Sequence, residues 1–252
     1  MALLPLFSHQ GRLLPWGAGT SDWLDGVFDP GSDPQELAPI LTEIGEAMEF
    51  LQLHRASPLM KVALPEGWTE RRGHSESCVT LDLPAGLSGR MAQKLRYYRR
   101  RAAHAGAEEP QRVGASHFDD MVHLHTRRWN DRGEPGVMVD PRVLAWHREA
   151  LPALEKTGLL RLYALRLGNR TVAALYALAS KGRVFYYIGG FDPDHSALGL
   201  GTILLGHAIA EAEREGAKRF DFLRGQEPYK YRWGGIDCPT YCRHLQPPRS
   251  QA

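Results

Sequence analysis

Residues 220–234 read FDFLRGQEPYKYRWG and concentrate side chains that can move protons and hold anions. Phe220 to Leu223 alternate as a short strand does, with Phe220 and Phe222 on one face and Asp221 and Leu223 on the other. Gly225 and Pro228 then break regular structure. Arg224, Glu227, Tyr229, Lys230, Tyr231, Arg232 and Trp233 therefore gather where a strand runs out of its sheet. That is where α/β proteins bind ligands. The plain alternative is a core strand followed by a loop of solvated charges.

The elements that would position these groups lie just upstream. Residues 159–167, 171–179 and 183–190 read as strands, joined by Gly168-Asn169-Arg170 and Lys181-Gly182. Such short connections imply an antiparallel meander. A glycine-containing turn over 195–202 opens a helix predicted to run to about 215, with Leu204, Leu205, Ala208, Ile209 and Ala212 inward. Helices are also predicted from Ser116 and Asp119, with Phe118, Met121, Val122, His125 and Trp129 on one side, and from Asp140-Pro141 to Gly158. His117, His123 and His125 do not form an HExxH pattern and read as surface and packing residues.

The upstream part is also mixed. Strands are expected within 3–7 and 12–16, across a turn at His9-Gln10-Gly11. Asp33-Pro34-Gln35-Glu36 starts a helix whose apolar spacing runs from Leu37 to Leu51. Strands are expected over 59–64 and 77–83, and a helix over 88–105. That helix has a narrow stripe of Met91, Leu95, Tyr98 and Ala102 among Arg90, Lys94, Arg96, Arg99, Arg100 and Arg101. It reads either as an anion-contacting surface or as a solvated face whose alkyl stems cover the core. A final strand is expected over 240–245.

The chain has 252 residues, 43% hydrophobic and 24% charged, which suits one large or two small globular domains. A net charge of +2 is too small to imply nucleic acid, although residues 20–53 carry no Lys or Arg and residues 87–107 no Asp or Glu. Three cysteines, Cys78, Cys238 and Cys242, do not make a disulfide framework, and with His244 they lack the paired spacing of a structural zinc site. No metal is expected. No apolar run is long enough for a membrane span, and residues 1–7 lack a basic flank and a long apolar stretch. The expectation is a cytoplasmic protein with no membrane partner.

The element order resembles the GNAT N-acyltransferase fold, in which a Gly-rich turn opens a helix after an antiparallel meander. Ser196, Gly199 and Gly201 stand at the turn positions, with the two glycines matching and the leading Gln or Arg replaced. Residues 118 onward resemble the CelD-type acetyltransferase family more specifically. The matching residues are Arg127-Arg128-Trp129, the strand pair over 159–175, Gly201-Thr202-Ile203-Leu204, and residues 220–225 and 227–233. Residues 21–25 and the basic run 94–101 resemble that family's upstream half. Three features depart from the family pattern: Gly199-Leu200-Gly201 in place of Ser-Pro-Gly, Gln226 in place of Asp, and a late start.

The resemblance implies an α/β (α+β) fold with a mainly antiparallel sheet flanked by helices. Residues 111–252 would form the acyltransferase domain, and residues 1–110 a partial, non-catalytic GNAT-like lobe. It implies acetyl-CoA or another acyl-CoA as co-substrate and an amine acceptor, and it is compatible with a homodimer. Pyrophosphate would sit on backbone N–H groups of Ser196, Gly199, Leu200, Gly201 and Thr202 at a helix N-terminus. The strand from Tyr186 to Gly190, with Ile188 and Gly189 as the contacting residues, would run beside the pantetheine arm. Asp221 and Glu227 become candidate bases, and Tyr229, Tyr231 and Tyr187 candidate acids. Lys230 ranks with Tyr229 first among the catalytic candidates, and Lys230, Arg224, Arg232 and Trp129 would orient carboxylates or hold substrate. Two other readings stay open: a Fem-like transferase using aminoacyl-tRNA, and a degenerate, non-catalytic binding module.

Overall fold

Capping side chains set several element boundaries in the computed structural model, which describes residues 2–248. Ser88 accepts the Met91 N–H, and Asp140 accepts the Arg142 N–H ahead of Pro141. Each satisfies a donor that the first helical turn leaves without an intrahelical partner. The chain divides into two units, one of residues 2–78, 224–226 and 237–248, the other of residues 79–223 and 227–236. This differs from the expected division at 110/111. The basic helix belongs to the second unit because Met91, Leu95 and Ala102 are buried in that unit's core.

The first unit contains β1 (Ala2–Leu3), β2 (Leu6–His9), β3 (Arg12–Pro15), β4 (Val27–Phe28), α1 (Leu37–Ile44), β5 (Met48–His54) and β6 (Thr69–His74). The second contains β7 (Cys78–Asp82), α2 (Gly89–His104), β8 (Gln111–Val113), α3 (Phe118–Asn130), α4 (Pro141–Lys156), β9 (Leu160–Leu167) and β10 (Arg170–Ser180). It continues through β11 (Arg183–Phe191), α5 (Leu200–Arg214), β12 (Arg219–Arg224) and α6 (Pro228–Arg232). β13 (Ile236–Cys238) leads back to the first unit and to β14 (Thr240–Gln246). No helix among the described residues is long and apolar enough to cross a membrane.

In the first unit, the sheet order is β2-β3-β5-β14-β6. Two expectations change here. α1 stops at Ile44 because Gly45 adopts φ +64°, so Met48 and Leu51 lie on β5 instead of on the helix. The expected strand over 59–64 is a 3-10 turn at Pro58–Met60, started by Ser57 and Pro58. Arg243 is buried in this core and remains paired, 2.6 Å from Glu70 and donating to the carbonyls of Leu59 and Val62.

In the second unit the sheet runs β7-β12-β11-β10-β9-β8. β9, β10 and β11 form the expected meander, and β12 joins β11 in parallel after the α5 crossover. One face packs Leu95 of α2 and Ile203, Leu204 and Ala208 of α5 on Leu165, Leu175, Phe220 and Phe222. The other packs Met121 and Leu124 of α3 and Leu151 of α4 on Leu162, Tyr176 and Ile188. α3 rests directly on the backbone of β11, since a Cβ at Gly190 would lie 2.3 Å from the His125 amide nitrogen.

Gly190→Ala forces those two backbones apart, at a cost of about 1–3 kcal/mol in urea unfolding. Gly86→Ala, with nothing within 4 Å of the added methyl, changes stability by less than about 0.5 kcal/mol.

His147 is buried beside the rings of Phe118, Tyr176 and Tyr187, and neither of its ring nitrogens has a hydrogen-bond partner. Burial pushes its pKa down to about 4. The unfolded chain therefore takes up a proton near pH 6.5 that the folded protein refuses. The stabilisation is complete above pH 6.5 and declines as pH falls toward 4. Its contribution drops by up to about 2–3 kcal/mol between pH 7 and 4.5. His147→Phe flattens the dependence of the urea midpoint on pH over that window.

Candidate active site

The turn before α5 is built by Asp192, Gly199 and Tyr98. Asp192 is buried, accepts the Asp194 N–H and lies 2.8 Å from Arg127, which fixes the chain as it leaves β11. A 3-10 stretch over Pro193–Leu198 follows, and Gly199 takes φ +68° as the N-terminal cap of α5. Glycine is required there twice over: the conformation is left-handed, and a Cβ would lie 2.4 Å from the ring of Tyr98. The result is an α5 N-terminus with backbone close to the surface, the arrangement that receives anions.

A second feature opens beside it. β11 and β12 pair only at Arg183–Arg219, Val184–Phe220 and Phe185–Asp221, although the strands continue to Phe191 and Arg224. From Tyr186 onward β11 has no strand pairing on that side. The turn and the parted strands border one cavity of about 350 Å³, at the lower end of the range for small-molecule sites. Its wall includes Lys94, Tyr98, Arg128, Arg132, Tyr186, Phe191, Tyr229, Arg232 and Trp233, with no carboxylate among the lining side chains. Burial raises the pKa of both Tyr186 and Tyr229, so each phenol is protonated at neutral pH and able to donate.

Of the residues that the resemblance singles out, Ser196, Gly199, Leu200, Gly201, Thr202, Tyr229 and Arg232 line this cavity. The remaining candidates lie elsewhere. Glu227 is half-exposed, 2.9 Å from Lys230, and its charge helps to raise both Tyr186 and Tyr229. Asp221 and Lys230 are fully buried. Asp221 Oδ1 accepts the Leu223 N–H at 2.8 Å, and Lys230 Nζ donates to the Leu223 carbonyl at 3.1 Å. Leu223 has φ +61°, a left-handed conformation unfavourable for a side-chain-bearing residue. The two charged residues thus hold both ends of a strained residue where β12 ends.

Arg224 belongs to the first unit, 2.9 Å from Asp22 and 3.4 Å from Glu76. Trp129 packs on His125 and under Arg132, one helical position away from the lining residue Arg128. Tyr187 faces the opposite side of the sheet. A bulge pairs Tyr176 with Ile188 and Ala177 with Tyr186, skipping Tyr187, which packs with His147 and Tyr176. Ile188 is buried on that same far side, and Gly189 leaves room for the Tyr186 hydroxyl. Tyr186 and Arg128, which the sequence places in a strand and in a matching motif without a chemical role, line the cavity. Lys94, Tyr98 and Arg132 had no signal beyond their place in basic or loop segments.

The parted parallel strands, the glycine turn and the following helix define a GNAT-type acyltransferase domain. The chain belongs to the acetyltransferase (GNAT) domain family, whose match covers residues 89–231. No curated protein matches the chain. Among solved structures, it resembles L-PGS from Bacillus licheniformis with a TM-score of 0.66 at 13% identity, over 99% of this chain and 82% of that one. A C-terminal domain described as lysylphosphatidylglycerol synthetase, from Agrobacterium fabrum, gives 0.66 at 13% identity over 96% and 80%. FemX gives 0.65 at 10% identity over 90% and 82%. At these identities the likeness is one of fold.

Lys230→Ala removes a buried ammonium that pairs with the half-exposed Glu227 and releases the buried Leu223 carbonyl. It lowers stability by about 3 kcal/mol in urea unfolding. Arg232→Ala, at an exposed site, changes stability by less than about 0.5 kcal/mol.

Proposed function

We propose that the protein transfers an acyl group from an acyl-CoA thioester to an amine. The observation that carries this reading is the convergence of the α5 N-terminal turn and the β11 edge on one cavity walled by Lys94, Arg128, Arg132 and Arg232. A phosphate-bearing donor fits such a wall, because helix N-termini and cations both favour negative charge. The residues that would hold the donor are Ser196, Gly199, Leu200, Gly201 and Thr202 at the turn, with Lys94 and the three arginines around them. When bound, the donor supplies an activated carbonyl and a thiolate leaving group.

The chain's own residues then act by position and by proton supply. The β11 edge from Tyr186 onward would align the thioester arm. Tyr229 would give the departing thiolate its proton, since its phenol is held protonated. Glu227, facing the two tyrosines from the rim, is the remaining candidate base. Asp221 and Lys230 serve by holding the end of β12. The acceptor would be an amine of a sugar, a small molecule or a protein.

A second reading has its own support: transfer from aminoacyl-tRNA. The whole-chain fold likeness to FemX and the half-exposed Tyr97 among the basic residues of α2 favour it. Stacking and phosphate contacts of that kind make binding strongly salt-dependent.

Saturating acetyl-CoA raises the thermal midpoint of the protein, because a ligand that binds only the folded state stabilises it by mass action. Gly201→Glu, which places a carboxylate at the α5 N-terminus, removes the shift. If acetyl-CoA, free CoA and longer acyl-CoAs all leave the midpoint unchanged, the donor is not CoA. Salt-dependent binding of charged tRNA then favours the second reading, and no binding of either favours a non-catalytic module.

A further inference from the structure

Tyr186 is held in an unusual way for a residue in the middle of a strand. Its hydroxyl lies 2.6 Å from the place a Cβ would take at Gly189, so the absence of a side chain three residues on makes room for it. The Arg128 guanidinium is near enough to that hydroxyl for its charge to act against the burial that raises the phenol's pKa. It also donates to the Gly189 carbonyl at 3.3 Å and lies 4.9 Å from the centre of the Phe191 ring. Arginine has only donors, so the Tyr186 hydroxyl cannot give its proton to Arg128. The phenolic proton is then left to be given elsewhere. Tyr186 lines the cavity, whose lining offers no carboxylate to take that hydrogen bond.

We propose that the Tyr186 hydroxyl, oriented by Arg128, donates a hydrogen bond to the carbonyl oxygen of the acyl group during transfer. Tyr186 is thus a catalytic residue and Arg128 a positioning residue. The inference rests on the acyl-transfer reading of this cavity. The neutral amine nitrogen attacks the carbonyl carbon, and the C=O π electrons move to oxygen as the C–N bond forms. The hydroxyl of Tyr186 holds that oxyanion by hydrogen bond and keeps its proton. Collapse re-forms C=O and breaks C–S, the thiolate takes a proton from Tyr229, and the amide nitrogen releases its extra proton to solvent, from which Tyr229 regains its own. The arrangement meets the geometric demand on an oxyanion donor: a fixed hydroxyl at the parted edge of β11, set before substrate arrives.

The test uses acetyl-CoA carrying ¹³C at the acetyl carbonyl, bound to the full chain and read by infrared difference spectroscopy. The bound carbonyl band lies below its position in free acetyl-CoA, because a hydrogen-bond donor polarises the C=O. In Tyr186→Phe the band returns toward the free position, while calorimetric affinity stays within about fivefold, since one neutral hydrogen bond contributes little net binding. With hydroxylamine as the acceptor probe, kcat falls by about 10²-fold with KM little changed. Gly189→Ala keeps both side chains but pushes the hydroxyl aside, and it moves the band in the same direction. Arg128→Met gives a smaller return of the band at saturating acetyl-CoA. An unmoved band in both Tyr186→Phe and Gly189→Ala overturns the role of the hydroxyl and leaves the donor site standing. Failure of the wild-type protein to bind acetyl-CoA overturns the donor site, and this inference with it.

Discussion

Everything proposed for this protein depends on two parallel strands parting. β11 and β12 are joined at Arg183, Val184 and Phe185 and then separate while both continue. A sheet that stayed paired would bury the β11 edge in ladder hydrogen bonds. Because it does not, the edge from Tyr186 onward borders a cavity, and the crossover helix α5 presents its N-terminus at the same place. An antiparallel meander fixes β11 from its other side through β10, so the opening belongs to the framework of the sheet. Binding sites at such points are a general property of open α/β sheets.

Several groups maintain that opening without touching it. Asp221 and Lys230 secure Leu223 in a left-handed conformation at the end of β12, one by its amide and one by its carbonyl. Gly190 allows α3 to lie on the β11 backbone, which brings Arg128 to the cavity wall. Tyr98 packs on Gly199 and fixes the turn from α2. The buried charges hold the end of β12, and the polar side chains that line the cavity include Tyr98, Tyr186, Tyr229, Lys94 and three arginines. That division follows from burial. A carboxylate or ammonium is retained inside only when it is paired or hydrogen-bonded, as these two are.

Local features of the fold were legible in the sequence. The β9–β11 meander follows from alternation and from two glycine turns, and the starts of α2, α4 and α5 follow from Ser88, Asp140-Pro141 and Gly199. The glycine turn and Tyr229, both singled out in the sequence by residue type and spacing, line the cavity. What failed were features set by packing. The strand bulge turns Tyr187, a candidate acid, to the face away from the cavity, and no pattern in the strand marks the bulge. Asp221 and Lys230 looked catalytic because charged residues beside a strand end usually are exposed. Their full burial is a tertiary fact. Met48 and Leu51 continued a helical spacing that Gly45 interrupts, and the boundary at 78/79 depends on which core the α2 stripe joins.

The most direct test of the central claim maps where the donor binds. Backbone amide NMR of the full chain is recorded as acetyl-CoA is added. The account predicts the largest shift changes at 196–203 and 186–191, with smaller ones at Lys94, Tyr98 and Tyr229. Changes confined to residues outside the second unit, or no changes at saturating acetyl-CoA, would contradict it.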